Sequence, residues 1–358
     1  MTRHDHTSSA PEHRVLRLPE PQVHHLETDD GVTLRLVRYA GGDAGPVLFA
    51  PGNGSTNEIA LLDTVECNLA EYLVARGHDL WLLDWRASPE VDCPGYSLYD
   101  AARYDWPAAL KFVTGQTGVA AVDCVAFCAG GMTLQIGLAT GQLGGLVRSA
   151  VCLQSSLLFS VGWFARLKGV VRLADIIQAI GWRTYRQSAR GASWLYRLLD
   201  LGLKLFPVPR GEHCHSPSCR RMAFGYGQYV RHARLNSRTH DRLPNLLGAA
   251  STRSFIELGA ACRNRQLMPL DQAALDNLRL PLTLIHSQQN QLLLPQSSAR
   301  LYAALVERHG PALYEQVVSA GYGHFDCLAG DDAARDIYPF IGAHLDRVAQ
   351  ARPSAAPV

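Results

Sequence analysis

The stretch from residue 122 to residue 138 constrains the fold of this chain more than any other. It begins with the mostly apolar run Val122–Phe127, passes through Cys128 and small neighbouring residues, and continues as a second apolar run. This order predicts a buried strand, a tight turn and a helix. Ala126 and Gly130 stand two positions before and after Cys128, where small residues let a strained turn present a side chain at a helix N-terminus. We therefore interpret Cys128 as a nucleophile; the alternative is a buried structural cysteine.

The position of Cys128 also leads to a prediction about its acidity. Backbone N–H groups and the positive end of the helix dipole favour an anion at a helix N-terminus. We therefore expect the pKa of the Cys128 thiol to be lowered and its thiolate fraction to be raised. Cys124 and Cys152 lie inside apolar runs and have no such support.

Short apolar runs alternate with segments of helical spacing over most of the 358 residues. A hydrophobic content of 47% is enough for one large core. Because runs typical of strands alternate with helical patterns, we expect a mostly parallel sheet with helices on both faces. The predicted strands are 32–39, 47–50, 80–85, 122–127, 147–153, 282–286 and 313–318, and the predicted helices are 59–75, 101–112, 297–308 and 333–348.

The alternation stops in one long segment, residues 157–270. Leu, aromatic and Arg residues recur there at helical spacing, and residues 160–243 contain fifteen Lys or Arg but only four Asp or Glu. Because the whole chain has a net charge of only +2, this segment predicts a separate basic unit. The predicted organisation is a mobile segment over 1–20, a core over 21–156, a basic, apolar helical cap over 157–270, the rest of the core over 271–349 and a mobile tail over 350–358.

The basic residues of the predicted cap have three interpretations that the sequence leaves open. They form a solvated rim, hold an anionic handle of the substrate such as a phosphate, or contact an anionic membrane surface. No apolar stretch is long enough to span a bilayer, so membrane contact would be peripheral. The basic residues lack interleaved stacking aromatics, so we expect no nucleic acid partner. Nine scattered cysteines, with no signal peptide at residues 1–6, predict a reducing, cytoplasmic location.

Several stretches of the chain resemble known proteins of the α/β-hydrolase superfamily. The resemblance covers about residues 30–345 and is carried by the elbow around Cys128 and by 61–73, 81–88, 219–222, 226–227, 235–240, 321–327 and 335–339. These stretches are similar to the hydrolase module joined to glucose-methanol-choline oxidoreductases of the cholesterol-oxidase type, and the cysteine elbow also resembles that of poly(hydroxyalkanoate) synthases. The resemblance implies an α/β-hydrolase fold with an inserted helical cap. No strand is followed by Gly-x-Gly-x-x-Gly, so we expect no flavin and no other cofactor. We do not expect polymerase activity, since the synthases have Asp where this chain has Asn290.

The histidine of this fold follows the last strand, and here Gly321-Tyr322-Gly323-His324 stands at that place. We interpret His324 as the general base. The residue that orients it should follow the strand 282–286, where Asn290 stands in place of the usual acid. An amide oxygen that only orients the ring can suffice for a cysteine nucleophile, because thiolate and imidazolium can exist as a preformed pair. The alternatives are that Asn290 is a turn residue and that Asp326 or Asp84 supplies the acid.

An oxyanion hole needs two backbone N–H groups aimed at the tetrahedral oxygen. Ala129 follows the nucleophile and should supply one of them. The loop Pro51-Gly52-Asn53-Gly54 follows a predicted strand, and we expect the second from Asn53. The glycines on both sides of Asn53 would let this loop approach Cys128 closely.

A metal site is not expected, although one cluster offers the right residue types. His213, Cys214, His215 and Cys219 are four potential zinc ligands within seven residues, with His232 and His240 nearby. The cluster lacks a paired C-x-x-C, which is the spacing that most strongly indicates zinc.

The residues together predict an ester or thioester hydrolase that acts on a lipophilic acyl substrate through an acyl-cysteine intermediate. Two alternatives stay open. The same nucleophile serves an acyltransferase if the acceptor is not water, and a catalytically silent hydrolase fold would bind a lipid or a partner. The expected partner is a small acyl ester or thioester, and the sequence does not give the oligomeric state.

Overall fold

The computed structural model describes residues 14–189, 193–209 and 211–351. Its main sheet has eight strands in the order β1-β2-β4-β3-β5-β6-β9-β10, of which β1 and β2 run antiparallel to their neighbours and the others run parallel. These strands are β1 (Gln22–Glu27), β2 (Thr33–Tyr39), β3 (Gly45–Ala50), β4 (His78–Asp84), β5 (Val122–Phe127), β6 (Val147–Leu153), β9 (Leu282–Ser287) and β10 (Tyr314–Ser319), while β7 (Thr184–Arg186) and β8 (Ala249–Ser251) form a separate ribbon.

Helices cover both faces of the sheet, as expected for strands that are buried on both sides. One apolar core lies between the sheet and α3 (Trp106–Thr117), α4 (Ala129–Ala139), α11 (Gln272–Asn277) and α12 (Gln296–His309). The other lies between the sheet and α1 (Leu69–Ala75), α13 (Asp326–Ala329), α14 (Ala333–Asp336) and α15 (Tyr338–Gln350). The predicted α/β architecture is confirmed by this sheet and its two helical layers.

The chain leaves the sheet after β6 and returns just before α11. A bridge between Leu158 and Gln266 closes the neck of this insertion. The insertion contains the β7–β8 ribbon and lies over the carboxyl end of the sheet, where its residues line the cavity at Cys128. Its helices are α5 (Trp163–Val170), α6 (Leu173–Ala179), α7 (Trp194–Leu203), α8 (Pro217–Gly225), α9 (Ser237–Leu246) and α10 (Thr252–Asn264).

Four sequence predictions need correction. The single helix expected over 333–348 is two helices, α14 and α15, divided at Ile337. The strand β1 was not predicted, and the single helix expected over 59–75 is a 3₁₀ turn (Asn57–Ala60) followed, after a loop, by α1. The predicted helix 101–112 is part of a longer stretch in which α2 (Leu98–Asp100), a π turn (Ala101–Asp105) and α3 follow one another. The termini 1–13 and 352–358, for which we predicted mobility, lie outside the described residues.

The described part of the N-terminal segment contacts the core. Arg14 donates to the Glu71 carboxylate at 2.6 Å, and the Arg17 backbone N–H donates to the same carboxylate at 2.8 Å. Glu71 is almost fully buried, and these donors lower its pKa to about 2 against the effect of burial. Residues 14–17 therefore contact the core, and the mobility predicted for 1–20 stays a prediction.

Candidate active site

Cys128 lies at a strained turn between β5 and α4. Its backbone has φ 55° and ψ −122°, a conformation that residues with a Cβ adopt only under constraint. Close packing explains the small residues around it. A Cβ on Gly52 would lie 3.2 Å from the Cys128 Cβ, and a Cβ on Gly130 would lie 2.5 Å from the Pro51 carbonyl oxygen. The turn thus holds the thiol at the start of α4, as the sequence predicts.

Two backbone N–H groups point at the Cys128 sulfur. They belong to Ala129, the first residue of α4, and to Asn53, in the loop after β3. The Asn53 loop is fixed from several sides: Trp85 Nε1 donates to the Pro51 carbonyl at 3.0 Å, and Tyr96 Oη donates to Asn53 Oδ1 at 2.5 Å. These are the two N–H groups from which the sequence analysis expects an oxyanion hole, and that role stays a prediction.

The acidity of Cys128 differs from the sequence prediction. Burial raises the pKa of its thiol to about 12, and the N–H groups of Ala129 and Asn53 oppose this effect only in part. Cys128 does lie at a helix N-terminus, but the surrounding apolar cavity excludes the water that would stabilise a thiolate. The prediction of a lowered pKa is therefore wrong for the resting site.

His324 lies in the same cavity as Cys128. Its side chain is buried and packs between the rings of Phe127 and Tyr229, whose centroids lie 5.1 Å and 5.4 Å from the imidazole centroid. Burial, with a contribution from His286, lowers the pKa of His324 to about 3. Both shifts favour the neutral thiol and the neutral imidazole over the preformed ion pair that the sequence analysis allowed.

Asn290 contacts His324, but through the opposite atom of its amide. Its Nδ2 lies 3.0 Å from His324 Nδ1, whereas its Oδ1 accepts the backbone N–H groups of Leu292 at 2.9 Å and Leu293 at 3.3 Å. A flipped amide would set Nδ2 against these two donors, so the backbone fixes the orientation. The expectation that the amide oxygen orients the imidazole is therefore wrong.

Gln154 reinforces this orientation and was not recognised from the sequence. Its Oε1 accepts Asn290 Nδ2 at 2.8 Å and the Ser287 backbone N–H at 3.1 Å. Gln154 follows β6 with a positive φ of 54°, which the sequence does not reveal. With Asn290 as the donor, His324 Nδ1 is an acceptor, so the proton of the neutral ring resides on Nε2.

Neither fallback acid contacts the imidazole ring of His324 in the described structure. The Asp326 carboxylate accepts the backbone N–H groups of Gly323 at 2.7 Å and Arg231 at 2.9 Å. Asp84 binds Arg35, Asn57 and Ser88. His286, expected to be a buried polar partner, is buried and lies 2.8 Å from the Leu293 carbonyl oxygen through Nε2.

A largely apolar cavity of about 150 Å³ opens above Cys128 and His324. The cap supplies most of its wall, from α5, α6, α8 and α10. Lys168 also lines it, donating from Nζ to the carbonyls of Phe224 at 2.7 Å and Gly225 at 2.8 Å, and burial lowers its pKa to about 8. Arg172 and Arg263 stand at the same cavity. The apolar wall of the cavity suits a lipophilic group, and the cationic side chains of Lys168, Arg172 and Arg263 also line the cavity.

Tyr226 is a second residue that the sequence did not single out for the site. Its hydroxyl accepts from Asn53 Nδ2 at 3.1 Å and from Gln187 Nε2 at 3.0 Å. The cap thereby reaches the loop that carries the Asn53 N–H group. Its signal in the sequence is weak, because a tyrosine that ends an apolar helix is ordinary in a core.

The cysteine and histidine side chains that the cap brings together differ from the cluster considered in the sequence. Cys214, Cys219, His232 and His240 place four potential ligand atoms within 4.8 Å of one another. In the part of the chain that the structure describes, His213 and His215 do not belong to this group. None of the four residues lines the cavity at Cys128.

Comparisons with known proteins identify the fold. No family model matches the chain, and no curated protein matches it in sequence. Solved structures do match: DcsB in complex with its substrate analogue (15% identity, TM-score 0.58) covers 92% of this chain and 99% of its own. A carboxylesterase of the thaumarchaeon Nitrososphaera gargenis (14%, 0.58) covers 92% and 100%, and an esterase of Thermogutta terrifontis (13%, 0.57) covers 91% and 99%. Together with the eight-stranded sheet, these likenesses show that the chain has the α/β-hydrolase fold.

Proposed function

We propose that the protein is an acyl-transfer enzyme that forms an acyl-cysteine on Cys128 from a thioester or ester and passes the acyl group to water or to another acceptor. One observation carries the proposal. Cys128 is held at φ 55° with the Asn53 and Ala129 N–H groups at its sulfur, and it faces an apolar cavity. Strain of this kind persists only where surrounding structure enforces it, and it concentrates at functional sites. Three of the similar structures are esterases by name, which supports a hydrolase of this broad class.

The first step follows from the atoms around the sulfur. The Cys128 thiol releases its proton to water, the thiolate adds to the carbonyl carbon of the acyl donor, and the departing group takes up a proton from water, so that no net charge is left at the site. Negative charge then develops on the carbonyl oxygen, where the N–H groups of Asn53 and Ala129 accept it as hydrogen-bond donors. When the tetrahedral adduct collapses, the new C–S bond stays and the bond to the leaving group breaks, while the acyl chain occupies the apolar cavity.

The orientation of Asn290 favours a thioester over an oxygen ester as the donor. An alkoxide leaving group needs a proton from an imidazolium, and an imidazolium would set its Nδ1–H against the Asn290 Nδ2 donor. A thiolate leaving group is a far weaker base and leaves without that proton. The exchange of one thiolate for another at the carbonyl therefore makes the smallest demand on His324.

The acyl acceptor decides between hydrolysis and transfer. Water needs a general base to attack the acyl-cysteine, and His324 Nε2 carries a proton in the resting site. A thiol or amine acceptor makes less demand on that base. We therefore expect transfer to a small thiol to be faster than hydrolysis, and this expectation separates an acyltransferase from a thioesterase.

The pKa shifts of Cys128 and His324 favour a second candidate function. A site whose thiol has a pKa of about 12 and whose imidazole has a pKa of about 3 is poorly prepared for proton transfer. A hydrolase fold with such a site would bind a lipophilic molecule in the cavity without turning it over. Formation of an acyl-cysteine separates the two functions, because binding alone leaves the mass of the chain unchanged.

The outer surface of the cap supports a lipophilic substrate drawn from a membrane. We call the exposed apolar side chains of α5 to α7 and of the residues just after each helix the cap surface: Trp163, Leu167, Val170, Val171, Ile176, Ile180, Trp194, Leu195, Leu198, Leu201 and Leu205. Rings of Phe164 and Phe206, 5.4 Å apart, join α5 to the end of α7, and exposed Arg166, Arg197 and Lys204 surround the apolar residues. Apolar and cationic groups together fit an anionic bilayer surface. Among the described residues, no helix is long and apolar enough to cross a membrane.

The proposal is tested with acyl-CoA thioesters and p-nitrophenyl esters of increasing chain length. Intact mass, measured within the first turnovers, should show one acyl adduct that is absent from Cys128→Ala. Thioesters should acylate the protein faster than alkyl oxygen esters of equal chain length, whereas p-nitrophenyl esters should also react, because p-nitrophenolate leaves without a proton. Absence of an adduct from every donor, in folded protein that still binds the acyl chain, would leave the binding function.

A further inference from the structure

We propose that the cap contains a structural zinc site formed by Cys214, Cys219, His232 and His240. The four residues come from three different segments: the loop before α8, α8 itself, and the stretch from the 3₁₀ turn (His232–Arg234) into α9. Their sulfur and nitrogen atoms all lie within 4.8 Å of one another. Two thiolates and two imidazoles are the donor set of a closed, four-coordinate zinc site.

The distances suit a tetrahedral ion. His240 Nε2 lies 3.2 Å from Cys214 Sγ and 3.1 Å from Cys219 Sγ. Bond lengths of about 2.3 Å for Zn–S and about 2.0 Å for Zn–N place sulfur and nitrogen about 3.5 Å apart around one ion. These two contacts would lengthen by a few tenths of an ångström to admit zinc, and the other ligand pairs, which lie within 4.8 Å, would adjust to about 3.3–3.8 Å.

Both imidazoles have the outer partners that zinc-bound histidines commonly have. His232 Nδ1 lies 2.8 Å from the buried Glu212 carboxylate, and His240 Nδ1 lies 3.5 Å from Asp241. A carboxylate at Nδ1 fixes the proton there and presents Nε2 as the ligand. Among the described residues, His232 Nε2 has no hydrogen-bond partner outside the cluster, so its lone pair is available to an ion.

The surroundings of the two sulfur atoms also suit zinc ligands. The Ser216 backbone N–H points at Cys214 Sγ from 3.3 Å, which favours a thiolate there. Cys214 and Cys219 are both free cysteines in the structure. Binding of Zn²⁺ would release the two thiol protons and leave two Zn–S bonds, so charge balances at a neutral site with no oxidant or reductant.

The position of the cluster suggests what the metal does. Three residues before His232, the Tyr229 carbonyl accepts the Phe325 backbone N–H at 3.0 Å, and the Arg231 backbone N–H donates to Asp326 at 2.9 Å. His324 lies directly beside these partners in the chain. The metal would hold the cap segment that packs on His324, and it would leave no open coordination position for chemistry.

The first test is the metal content of untagged, full-length protein purified under reducing conditions. We expect about one zinc per chain, and Co²⁺ substitution should give thiolate-to-cobalt charge-transfer absorption and tetrahedral visible bands. A chelator should lower the melting temperature. Fresh, reduced protein without metal and without the cobalt spectrum would overturn the proposal, as would a Cys214–Cys219 disulfide found by mass under these conditions.

Variants distinguish zinc ligation by these side chains from a need for them in folding. Cys219→Ser should lose the zinc and the charge-transfer band, whereas Cys93→Ser, at a cysteine outside the cluster, should keep both. Glu212→Gln keeps the shape of the outer partner but removes its charge, and it should weaken zinc binding about 10- to 100-fold. Equal zinc content and equal affinity in Cys219→Ser and the wild type would contradict the assignment. If Cys219→Ser does not fold, Glu212→Gln and the chelator titration decide.

Discussion

Replacement of Asn290 by Asp should activate the site. In the wild type, the Asn290 Nδ2 donor keeps the proton of His324 on Nε2 and opposes the imidazolium form. An aspartate would still accept the Leu292 and Leu293 N–H groups and would offer His324 Nδ1–H a carboxylate in place of a donor. The substitution therefore raises the pKa of His324 and frees Nε2 to accept the thiol proton.

The size of the effect follows from the contact that is gained. A hydrogen bond to a charged group contributes about 1.5–3 kcal/mol, and the site is buried, so water screens it little. At about 1.4 kcal/mol for each factor of ten, acylation of Cys128 should be roughly 10- to 150-fold faster. The Asn290→Asp variant should be less stable than the wild type, because Gln154 Oε1 loses the hydrogen bond that Asn290 Nδ2 donates to it.

The assay is stopped-flow acylation by an acyl thioester, with intact mass as the count of adduct and thermal unfolding as the check on folding. Asn290→Ala serves as the control, because it removes the Nδ2 donor without supplying a charge, and its rate should lie between the other two. An Asn290→Asp protein that is folded but no faster than the wild type would refute the role of Asn290 as the residue that sets the state of His324.

Three further predictions concern the nucleophile, the turn and the cap. Because the pKa of the thiol is about 12, alkylation of Cys128 by iodoacetamide should rise about tenfold per pH unit from pH 7 to pH 10; a plateau near neutral pH would instead indicate an ion pair. Gly130→Ala should lower the free energy of unfolding, measured in urea, by about 1–3 kcal/mol, because its Cβ would lie 2.5 Å from the Pro51 carbonyl oxygen. Gly115→Ala is the control and should not lower this free energy, because its Cβ would meet nothing within 4 Å. The protein should sediment with anionic vesicles in a salt-dependent manner, and a Trp163→Ser/Trp194→Ser double variant should not; equal sedimentation of both would exclude the cap surface as the membrane contact.

The sequence predicted those parts of the molecule that depend on local pattern. The strand Val122–Phe127, the turn at Cys128 and the helix after it follow from residue size and apolar spacing, and the structure has them at these residues. The position of His324 follows from the Gly-x-Gly-His turn after the last strand. The resemblance to oxidase-linked hydrolase modules and to poly(hydroxyalkanoate) synthases stays an interpretation of the sequence.

The chemistry of the site depends on contacts that no local pattern encodes. A sequence places Asn290 near His324 but cannot tell which amide atom faces the ring, because the Leu292 and Leu293 N–H groups and Gln154 decide it. The pKa of Cys128 depends in the same way on the apolar cavity built by the cap, more than 30 residues further along the chain. His232 and His240 reach Cys214 and Cys219 only through the folding of α8 and α9 against each other.

Acylation of Cys128 is tested most directly by the intact mass of the protein after brief incubation with a long-chain acyl thioester. We expect a single acyl adduct, located on Cys128 by peptide mapping, lost in Cys128→Ala and transferred to an added small thiol. Folded wild-type protein that binds the acyl chain but acquires no adduct on Cys128, at any pH from 7 to 10, would contradict this expectation.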